Sequence, residues 1–388
     1  MQKEDLMAAS HLKENTPITQ KDILEAAQHL NDTGVFSDIH YSFNGADLTF
    51  KLTPASTLLP VRYNNFLWWQ TEELDTALHK RVPLFQGKCG VSGMLTDAIT
   101  AALTAMLAEK GITATVEAMP YSPKPGAPIE AIGFTITSPA VLVHNLTLEG
   151  ASAGMTPHLQ PALHRFASLD FDANLTQPSI TSVITAIYYD YGYLDADVPG
   201  ILRGQPTLAG DHFDVDVVAN VTEGDLYHLT RLDWPGSEVC STADFQKIAK
   251  MKPGDVASQA ELRDTLRTLK SAYTAKGYME AKIHAAQAKD QAAHTVSYAV
   301  SVEPGVQYHI EAVKTPNLTE QQQKEFDKVW LLKPGDIYDE NYVSAFLKKS
   351  LDLRSLAGYS GAFKSVGDPY AHTVVVTITF VKGGVLTQ

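Results

Sequence analysis

The chain has little cysteine, a deficit of positive charge and no long apolar run, and each absence excludes a class of protein. Its 388 residues contain only two cysteines, Cys89 and Cys240, so no disulfide framework can hold the fold. Lysine and arginine number 31 against 44 acidic residues, and the resulting formal net charge of -13 argues against nucleic acid as a partner. No apolar stretch approaches the roughly 20 residues that a membrane-spanning helix needs.

Catalytic motifs are absent as well. The sequence has no phosphate-binding glycine loop ending in Lys-Ser/Thr, no Gly-x-Ser-x-Gly and no His-Glu-x-x-His. His212, Asp214 and Asp216 share one face of a predicted strand, but two acids and one histidine on one strand rarely complete a metal cage. We interpret them as a solvated outer face. The prediction is that the protein is not an enzyme and has no catalytic residue, no metal and no cofactor.

What the sequence does contain is a repeated pattern in which an amphipathic helix ends at a glycine and two strand-like segments follow. Glycine suits a helix C-terminus because the chain turns there through a left-handed conformation. Intervals of 77, 81, 85 and 81 residues separate five such positions, which are Gly34, Gly111, Gly192, Gly277 and Gly358. This period suits a small independent domain, so we predict a string of similar modules.

Two of these modules share further motifs. The turn between their two helices reads Lys-Pro-Gly-Asp at 252–255 and again at 333–336, with Gly254 and Gly335 in equivalent places. The second helix of each ends in Gly-Tyr, which places Tyr278 and Tyr359 in equivalent positions too. Period-two alternation of apolar residues flanks the helices and predicts strands. The predicted order is therefore β-α-α-β-β.

The predicted fold class is α+β, a tandem array of about five β-α-α-β-β modules in an extended, rod-like arrangement. Each module would pack two helices on a three-stranded mixed sheet. The first lacks an opening strand, because residues 5–12 already have a helical pattern. We call the five predicted modules 1 to 5 in chain order, and they cover residues 1–56, 57–139, 140–223, 224–305 and 306–388.

The element order, the Lys-Pro-Gly-Asp turns and the Gly-Tyr helix ends resemble POTRA (polypeptide-transport-associated) domains. The best matches are residues 226–304 and 307–382, with a partial match at 16–54. The resemblance implies a location in the periplasm of a Gram-negative-type bacterium, N-terminal to an outer-membrane β-barrel. Only six residues follow Lys382, so we expect either a soluble region of a longer, membrane-tethered protein or a stand-alone protein. No hydrophobic segment follows Met1 as in a signal peptide.

The resemblance further implies capture of unfolded outer-membrane proteins or secreted polypeptides, and docking of accessory envelope proteins. The predicted function is a non-enzymatic scaffold that binds extended polypeptide by β-augmentation, the addition of a strand to an open sheet edge. The alternative is a structural tether or docking platform that binds no client.

In POTRA domains the second strand lies at a sheet edge beside the second helix. Prolines or glycines interrupt this strand in modules 3 and 5, whereas residues 279–285 of module 4 contain neither. We therefore predict that this segment accepts an added strand, followed by a polar turn at 287–294. The residues predicted to form the peptide-binding edge and its groove are Tyr273, Met279, Ala281, Ile283 and Ala285.

Overall fold

The computed structural model describes residues 3–124, 126–350 and 354–382. The chain divides into two compact units. Unit 1 comprises residues 1–185 and 197–222, and unit 2 comprises residues 186–196 and 223–388. None of the helices in the described ranges combines the length and apolarity required to cross a bilayer.

Unit 1 begins with two helices followed by a hairpin. Module 1 consists of α1 (Lys3–Ser10), α2 (Gln20–Asp32), β1 (Phe36–Phe43) and β2 (Leu48–Pro54). Thr19 caps α2 through a capping box with Asp22, which explains why the helix begins there. Strands β1 and β2 pair antiparallel and form a sheet of two strands.

The remaining modules of unit 1 each have four strands. Module 2 contains β3 (Leu59–Tyr63), α3 (Thr71–Arg81), β4 (Lys88–Cys89), α4 (Met94–Glu109), β5 (Thr115–Tyr121) and β6 (Ala131–Ser138). Module 3 contains β7 (Ala140–Glu149), α5 (Thr156–Phe166), α6 (Thr176–Asp190), β8 (Asp197–Arg203), β9 (Thr207–Ala209) and β10 (His212–Thr222). Their strand orders are β4-β3-β6-β5 and β7-β10-β8, with β9 also paired to β10.

Unit 2 contains two three-stranded sheets with the same topology. Module 4 contains β11 (His228–Asp233), α7 (Thr242–Ile248), α8 (Gln259–Thr274), β12 (Lys282–Asp290) and β13 (Thr295–Glu303). Module 5 contains β14 (His309–Lys314), α9 (Glu320–Val329), α10 (Glu340–Ser350), a 3-10 turn at Arg354–Leu356, β15 (Tyr359–Asp368) and β16 (Thr373–Lys382). In both, the third strand lies in the middle, parallel to the first and antiparallel to the second.

The α+β class is confirmed, and modules 4 and 5 show the predicted β-α-α-β-β order with three strands. Modules 2 and 3 differ from the expectation because each has an extra short strand. In module 2 this strand, β4, comes from the segment between the helices, and in module 3 β9 is part of the hairpin that leads into β10. The division into five modules and the rod-like arrangement stay predictions.

Two predicted strand boundaries are wrong. In module 4, β12 runs from Lys282 to Asp290, so half of the predicted polar turn is strand. In module 5, the glycines predict an interrupted second strand, yet β15 spans ten residues without a break. Its ladder with β16 has no register shift, and Gly361 and Gly367 sit where side chains of the core leave no room for a Cβ.

The core of module 4 buries one face of α8 against one face of β13. Leu262, Leu269 and Tyr273 of α8 are buried, together with Val296, Tyr298 and Val300 of β13. In module 5, Phe326 lies between Trp330 and Phe346, with ring centroids 5.2 and 5.3 Å away. Both cysteine thiols are buried and free.

The five repeated glycines all have left-handed backbone angles. Their φ values are 71° at Gly34, 79° at Gly111, 86° at Gly192, 84° at Gly277 and 79° at Gly358. In unit 2 two of them also receive the next strand. The carbonyl of Gly192 accepts the Tyr227 amide, and that of Gly277 accepts the Tyr308 amide, each at 2.9 Å. These glycines therefore act at packed junctions as well as at helix ends.

Candidate functional site: the open strand edges

One edge of each complete sheet is covered by the segment between the two helices. In module 4, Leu229 of β11 donates its amide to Asp255 O and accepts from Gly254 N, at 2.8 and 2.7 Å. In module 5, Ile310 of β14 makes the same two bonds with Asp336 O and Gly335 N, both at 2.8 Å. Gly254 and Gly335 have φ values of 96° and 92°, so the Lys-Pro-Gly-Asp turn is built to return to the first strand.

Unit 1 uses the same arrangement. Val143 of β7 exchanges two backbone hydrogen bonds with Ser168 and Leu169, each 2.8 Å long. In module 2, Val61 donates to Gly87 O at 3.0 Å, and the covering segment becomes regular enough to form β4. The first-strand edge is therefore occupied in modules 2 to 5, which leaves the second strands β5, β8, β12 and β15 at the other edge.

These four edges differ in how well they suit an added strand. Proline cannot donate to a ladder, and Pro120 lies in β5 while Pro199 lies in β8. Strand β12 has nine residues and neither proline nor glycine. Strand β15 has ten residues with two glycines and no proline, and Val366 on it is 56% exposed. Two candidate edges therefore stand out, and both lie in unit 2.

The predicted edge residues of module 4 are not all placed where the sequence suggested. Ile283 and Ala285 lie in β12 and are half-buried against the core that contains Tyr273. Ala281 is buried ahead of the strand, and Met279 packs against the core of module 5. Tyr273 is 3% exposed, and its hydroxyl donates to Ser237 Oγ at 2.7 Å. An added strand would therefore meet Ile283 and Ala285 but not Met279 or Tyr273.

Sequence reasoning rejected β15 as a candidate edge because of its glycines, yet the structure leaves this strand open. Its apolar residues Tyr359 and Phe363 are half-buried against the module core, while Lys364 and Val366 point to solvent. The glycines at 361 and 367 break the apolar alternation, so the sequence pattern does not reveal the full length of this strand. Tyr278 of module 4 is the equivalent of Tyr359, and it packs on Tyr273 with ring centroids 5.9 Å apart.

A charged cluster anchors the far end of β12 within unit 2. Asp195 accepts from Tyr227 Oη at 2.5 Å and pairs with Lys289, the penultimate residue of β12. Hydrogen bonds from Lys289 and Tyr227 lower the pKa of the Asp195 carboxyl, and the Asp195 bond raises the pKa of Tyr227 to about 12. Asp195 belongs to the segment 186–196, so this cluster ties that segment to module 4.

We predict that Asp195→Asn lowers the stability of unit 2 at neutral pH by about 1 kcal/mol, because it weakens a partly exposed pair of charge-assisted hydrogen bonds. A carboxyl whose folded pKa is lowered stabilises above its unfolded pKa and stops doing so as the pH falls through the folded value. The difference from the wild type should therefore begin to shrink as the pH falls below about 4, and vanish only below the lowered pKa of the folded protein. Urea titrations at several pH values measure it.

Asp264→Asn is the matched control, since Asp264 forms an exposed i,i+3 pair with Arg267 at 2.9 Å. We expect no measurable loss from it at any pH. A loss for Asp195→Asn that persists at low pH would show that the charge is not the cause.

The structure also shows how the metal-ligating residue types are arranged among the described residues. Among them, no group of three or more His, Cys, Asp or Glu side chains could hold a metal ion. His212 and Asp214 lie 3.3 Å apart, and Asp216 pairs with His144 instead, on the largely exposed face of β7 and β10. Burial raises the pKa of Tyr298 and of Tyr338 to about 12, so both phenols stay protonated at neutral pH.

A comparison with known proteins finds a family model that matches part of this chain. The family model described as POTRA, surface antigen variable number repeat, matches residues 227–305. Residues 227–305 form a POTRA domain. The match coincides with module 4 and includes both the covered edge at β11 and the open edge at β12.

The chain is also similar to proteins from several bacteria. A Treponema pallidum (strain Nichols) protein named "Putative outer membrane protein assembly factor" is 23% identical over 175 residues, 45% of this chain. The matched region is 21% of that relative's length, so the match spans about a fifth of it. The solved structure of BamA POTRA domains 3–5 from Haemophilus influenzae has 16% identity and a TM-score of 0.49, covering 63% of this chain and 98% of that one. BamA from Haemophilus ducreyi lacking POTRA domains 1–3 has 14% identity and a TM-score of 0.34, covering 40% and 29%.

Proposed function

We propose that this protein is a non-enzymatic periplasmic scaffold that binds extended polypeptides by β-augmentation during outer-membrane protein assembly or secretion. Its five modules, of which module 4 is a POTRA domain, would form an extended array. The name of the Treponema pallidum relative supports the role in outer-membrane assembly. In the whole protein, we propose, such an array works beside an outer-membrane barrel and accessory envelope proteins.

The observation that carries the proposal is the asymmetry of the sheet edges. The turn between the helices hydrogen-bonds to the first strand, so that edge cannot accept a partner. One row of backbone N–H and C=O groups of the second strand points away from the ladder. Strands β12 and β15 contain no proline, so no N–H group is missing from this row. A client strand would pair with these groups and read alternate side chains of the edge.

The client contact would be made mainly by backbone groups and apolar side chains. The facing surface of β12 alternates half-buried Ile283 and Ala285 with exposed Lys282, His284 and Ala286. This edge has no concentrated charge of one sign, and the whole chain carries a net charge of -13. Binding to unfolded barrel segments should therefore depend little on salt, unlike binding to nucleic acid.

The second candidate function, a tether or docking platform without client binding, is favoured by one observation. Met279 packs into the core of module 5, and Gly277 accepts a backbone hydrogen bond from Tyr308, so modules 4 and 5 are directly packed on each other. A spacer between pieces of machinery needs such packed junctions. It does not need an open edge, and that difference allows the two functions to be tested separately.

We predict that a photoreactive amino acid at position 284 crosslinks to an unfolded outer-membrane protein, whereas the same probe at position 228 does not. His284 and His228 are both exposed histidines, but His284 lies on the open strand β12 and His228 lies opposite Val256 on the covered edge. Crosslinking in the full chain at low and high salt measures the contact. Equal crosslinking at both positions would contradict binding at the β12 edge, and none at either would favour the tether.

A pair of proline variants tests the backbone mechanism. Successive residues of an antiparallel strand direct their amides alternately to the partner strand and away from it. Of Ala286→Pro and Gln287→Pro, one should therefore keep the module folded and reduce crosslinking at position 284, while the other breaks the β12–β13 ladder and destabilises the module. Undiminished crosslinking in the folded variant would rule out β-augmentation here.

A further inference from the structure

The starts of modules 4 and 5 share an arrangement of a glycine, an acid and a tyrosine. The glycine follows a helix, and the acid stands three residues after it. The tyrosine precedes the first strand and donates its amide to the glycine carbonyl at 2.9 Å. These residues are Gly192, Asp195 and Tyr227 for module 4, and Gly277, Glu280 and Tyr308 for module 5. All of them lie in unit 2, so the two arrangements can be compared residue by residue.

In module 4 a lysine completes the arrangement. Tyr227 is 1% exposed, and its hydroxyl donates to the Asp195 carboxylate at 2.5 Å. The Lys289 ammonium pairs with the same carboxylate, and it lies 5.6 Å from the centroid of the Tyr227 ring. Lys289 belongs to β12, where it is opposite Val296 of β13. The carboxylate is therefore held between a buried hydroxyl and an ammonium group.

Module 5 has a glycine where module 4 has this lysine. Val374 of β16 is the equivalent of Val296, since each pairs with the residue two positions after the tyrosine. The residue opposite Val374 on β15 is Gly367. A Cβ at Gly367 would lie 2.6 Å from Cε1 of Tyr308, so no side chain fits there. Among the residues that the structure describes, Glu280 forms no ion pair.

Two polar groups are left incompletely satisfied as a result. Tyr308 is 0% exposed, and its hydroxyl has no hydrogen-bond partner among the described residues, which is costly for a buried group. Burial raises the pKa of Tyr308, and the carboxylates of Glu280 and Asp368 raise it further. Asp368 already accepts from the amides of Tyr370 and Ala371. The exposed Glu280 is therefore the carboxylate that is available to pair with this hydroxyl.

The place of Gly367 in the sheet gives access to these two groups. Strand β15 lies at the edge of the described sheet, so a further strand can pair with it. The Cα atoms of directly paired residues are about 5 Å apart, and their side chains share one face of the sheet. A side chain paired with Gly367 would therefore lie on the face of Tyr308, over the space that the glycine leaves. Lysine has a flexible stem that can carry its ammonium across the glycine to Glu280.

We propose that the Glu280 carboxylate and the Tyr308 hydroxyl form a binding site for a primary ammonium group, which a lysine of a polypeptide strand on the β15 edge supplies. The ammonium takes the part of Lys289: it binds Glu280, and Glu280 then accepts from the Tyr308 hydroxyl. This inference rests on the proposed function, because it takes the ligand to be an extended polypeptide. It gives β15 a preference for lysine that β12 lacks, since Lys289 already fills the equivalent site.

The test uses the full chain and a peptide with the sequence of residues 295–303, the third strand of module 4, carrying Val300→Lys. Position 300 shares its face with the buried Val296 and Tyr298, so the lysine lies on the apolar face of the peptide. Acetylation of the N-terminus leaves this lysine as the only amine. A second peptide has Nε-acetyl-lysine at the same position. We expect the lysine peptide to bind about tenfold more tightly in calorimetry, a typical gain for a charge-assisted hydrogen bond.

Three variants assign this difference to the site. Glu280→Gln removes the charge and should make the two peptides bind equally. Glu238→Gln is the matched control, because it removes an exposed glutamate between β11 and α7 and should keep the tenfold difference. Tyr308→Phe removes a hydroxyl without a partner, so the module stays folded, and the difference should fall to about threefold. An undiminished difference in Glu280→Gln would overturn the proposal.

Crosslinking shows whether a strand binds at β15 at all. A photoreactive amino acid replaces Val366, which is exposed on this strand, and position 284 is probed in a parallel sample. Equal binding of the two peptides with crosslinking at 366 overturns this inference and leaves the proposed function intact. No crosslinking at 366 also overturns it, and only silence at 284 as well contradicts the proposed function.

A free amine tests the source of the ammonium group. A single exposed ion pair gains little in water, so we expect n-butylammonium to show no saturable binding to the full chain. Saturable binding of n-butylammonium that is lost in Glu280→Gln and matches the lysine peptide in affinity would identify a small amine as the ligand. That result would overturn the lysine of an added strand.

Discussion

Gly277→Ala is expected to destabilise unit 2 by about 3 kcal/mol. Alanine at a left-handed position costs about 1–2 kcal/mol, and crowding in a packed site adds about 1–3 kcal/mol. Gly277 has a φ of 84°, and a Cβ there would lie 2.8 Å from the Tyr308 carbonyl oxygen and 3.0 Å from Ile337 Cγ2. The new methyl group would therefore push the start of module 5 away from the end of α8.

Gly358→Ala separates the backbone cost from the packing cost. Gly358 occupies the same place after the second helix of module 5, with a φ of 79°, but no described atom lies within 4 Å of the position that a Cβ would take there. We expect a loss of about 1 kcal/mol, from backbone strain alone. The loss of stability in both variants is measured by urea unfolding, with hydrogen exchange as the readout. Equal losses would show that the junction at Gly277 contributes nothing beyond its backbone angle.

Phe326→Ala is expected to destabilise module 5 by about 3–5 kcal/mol, the usual cost of removing a large buried aromatic side chain. Phe326 is 2% exposed and stacks on Trp330 with an interplanar angle of 16°. Its ring also meets Phe346 of α10 edge-on, so its loss leaves a cavity between both helices. Hydrogen exchange over residues 309–382 should show the loss directly.

Tyr370→Ala is the matched control for this core substitution. Tyr370 is an aromatic residue of the same module, but it is 96% exposed in the turn between β15 and β16. We expect a change within about 0.5 kcal/mol. If Phe326→Ala destabilises residues 228–303 as strongly as residues 309–382, the two modules unfold as one. A loss no greater than that of Tyr370→Ala would contradict the role of the aromatic cluster.

These two substitutions also bear on the proposed function. A client strand on β12 or β15 can be held only if the sheet behind it stays folded, and Gly277 and Phe326 act on the packing behind those strands. Neither residue lies on an open edge. A variant that lowers stability without changing crosslinking at position 284 in the folded protein would separate the scaffold from the binding surface.

Much of the fold could be predicted because its signals are local. The Ser258 side chain accepts from the Glu261 amide where α8 begins, and buried residues alternate along β13, so both elements follow from residues that are neighbours in the chain. The left-handed angles follow from glycine's lack of a Cβ, which makes glycine the residue of choice after a helix. Turn motifs of four residues likewise predicted the boundary between the helices, since their chemistry involves only neighbours in the chain.

The edges were harder to predict because pairing connects residues far apart in the sequence. Nothing local to Leu229 says that its amide and carbonyl meet residues 254 and 255, yet that contact closes one edge of the sheet. The extent of β15 depended on room for two glycines beneath Leu347, Phe380 and Tyr308. The position of Met279 fits the alternation of a strand face. Its side chain, however, packs against the core of module 5 and does not lie at the edge.

By itself, therefore, the sequence determined the α+β class, the repeated order of elements in modules 4 and 5, and the resemblance to POTRA domains. Those properties depend on periodicity, capping and turn chemistry within a few residues. Only the tertiary structure decided which strand edges are covered and which are open. Those properties depend on which distant backbone groups hydrogen-bond to each other, and a local pattern does not record such pairings.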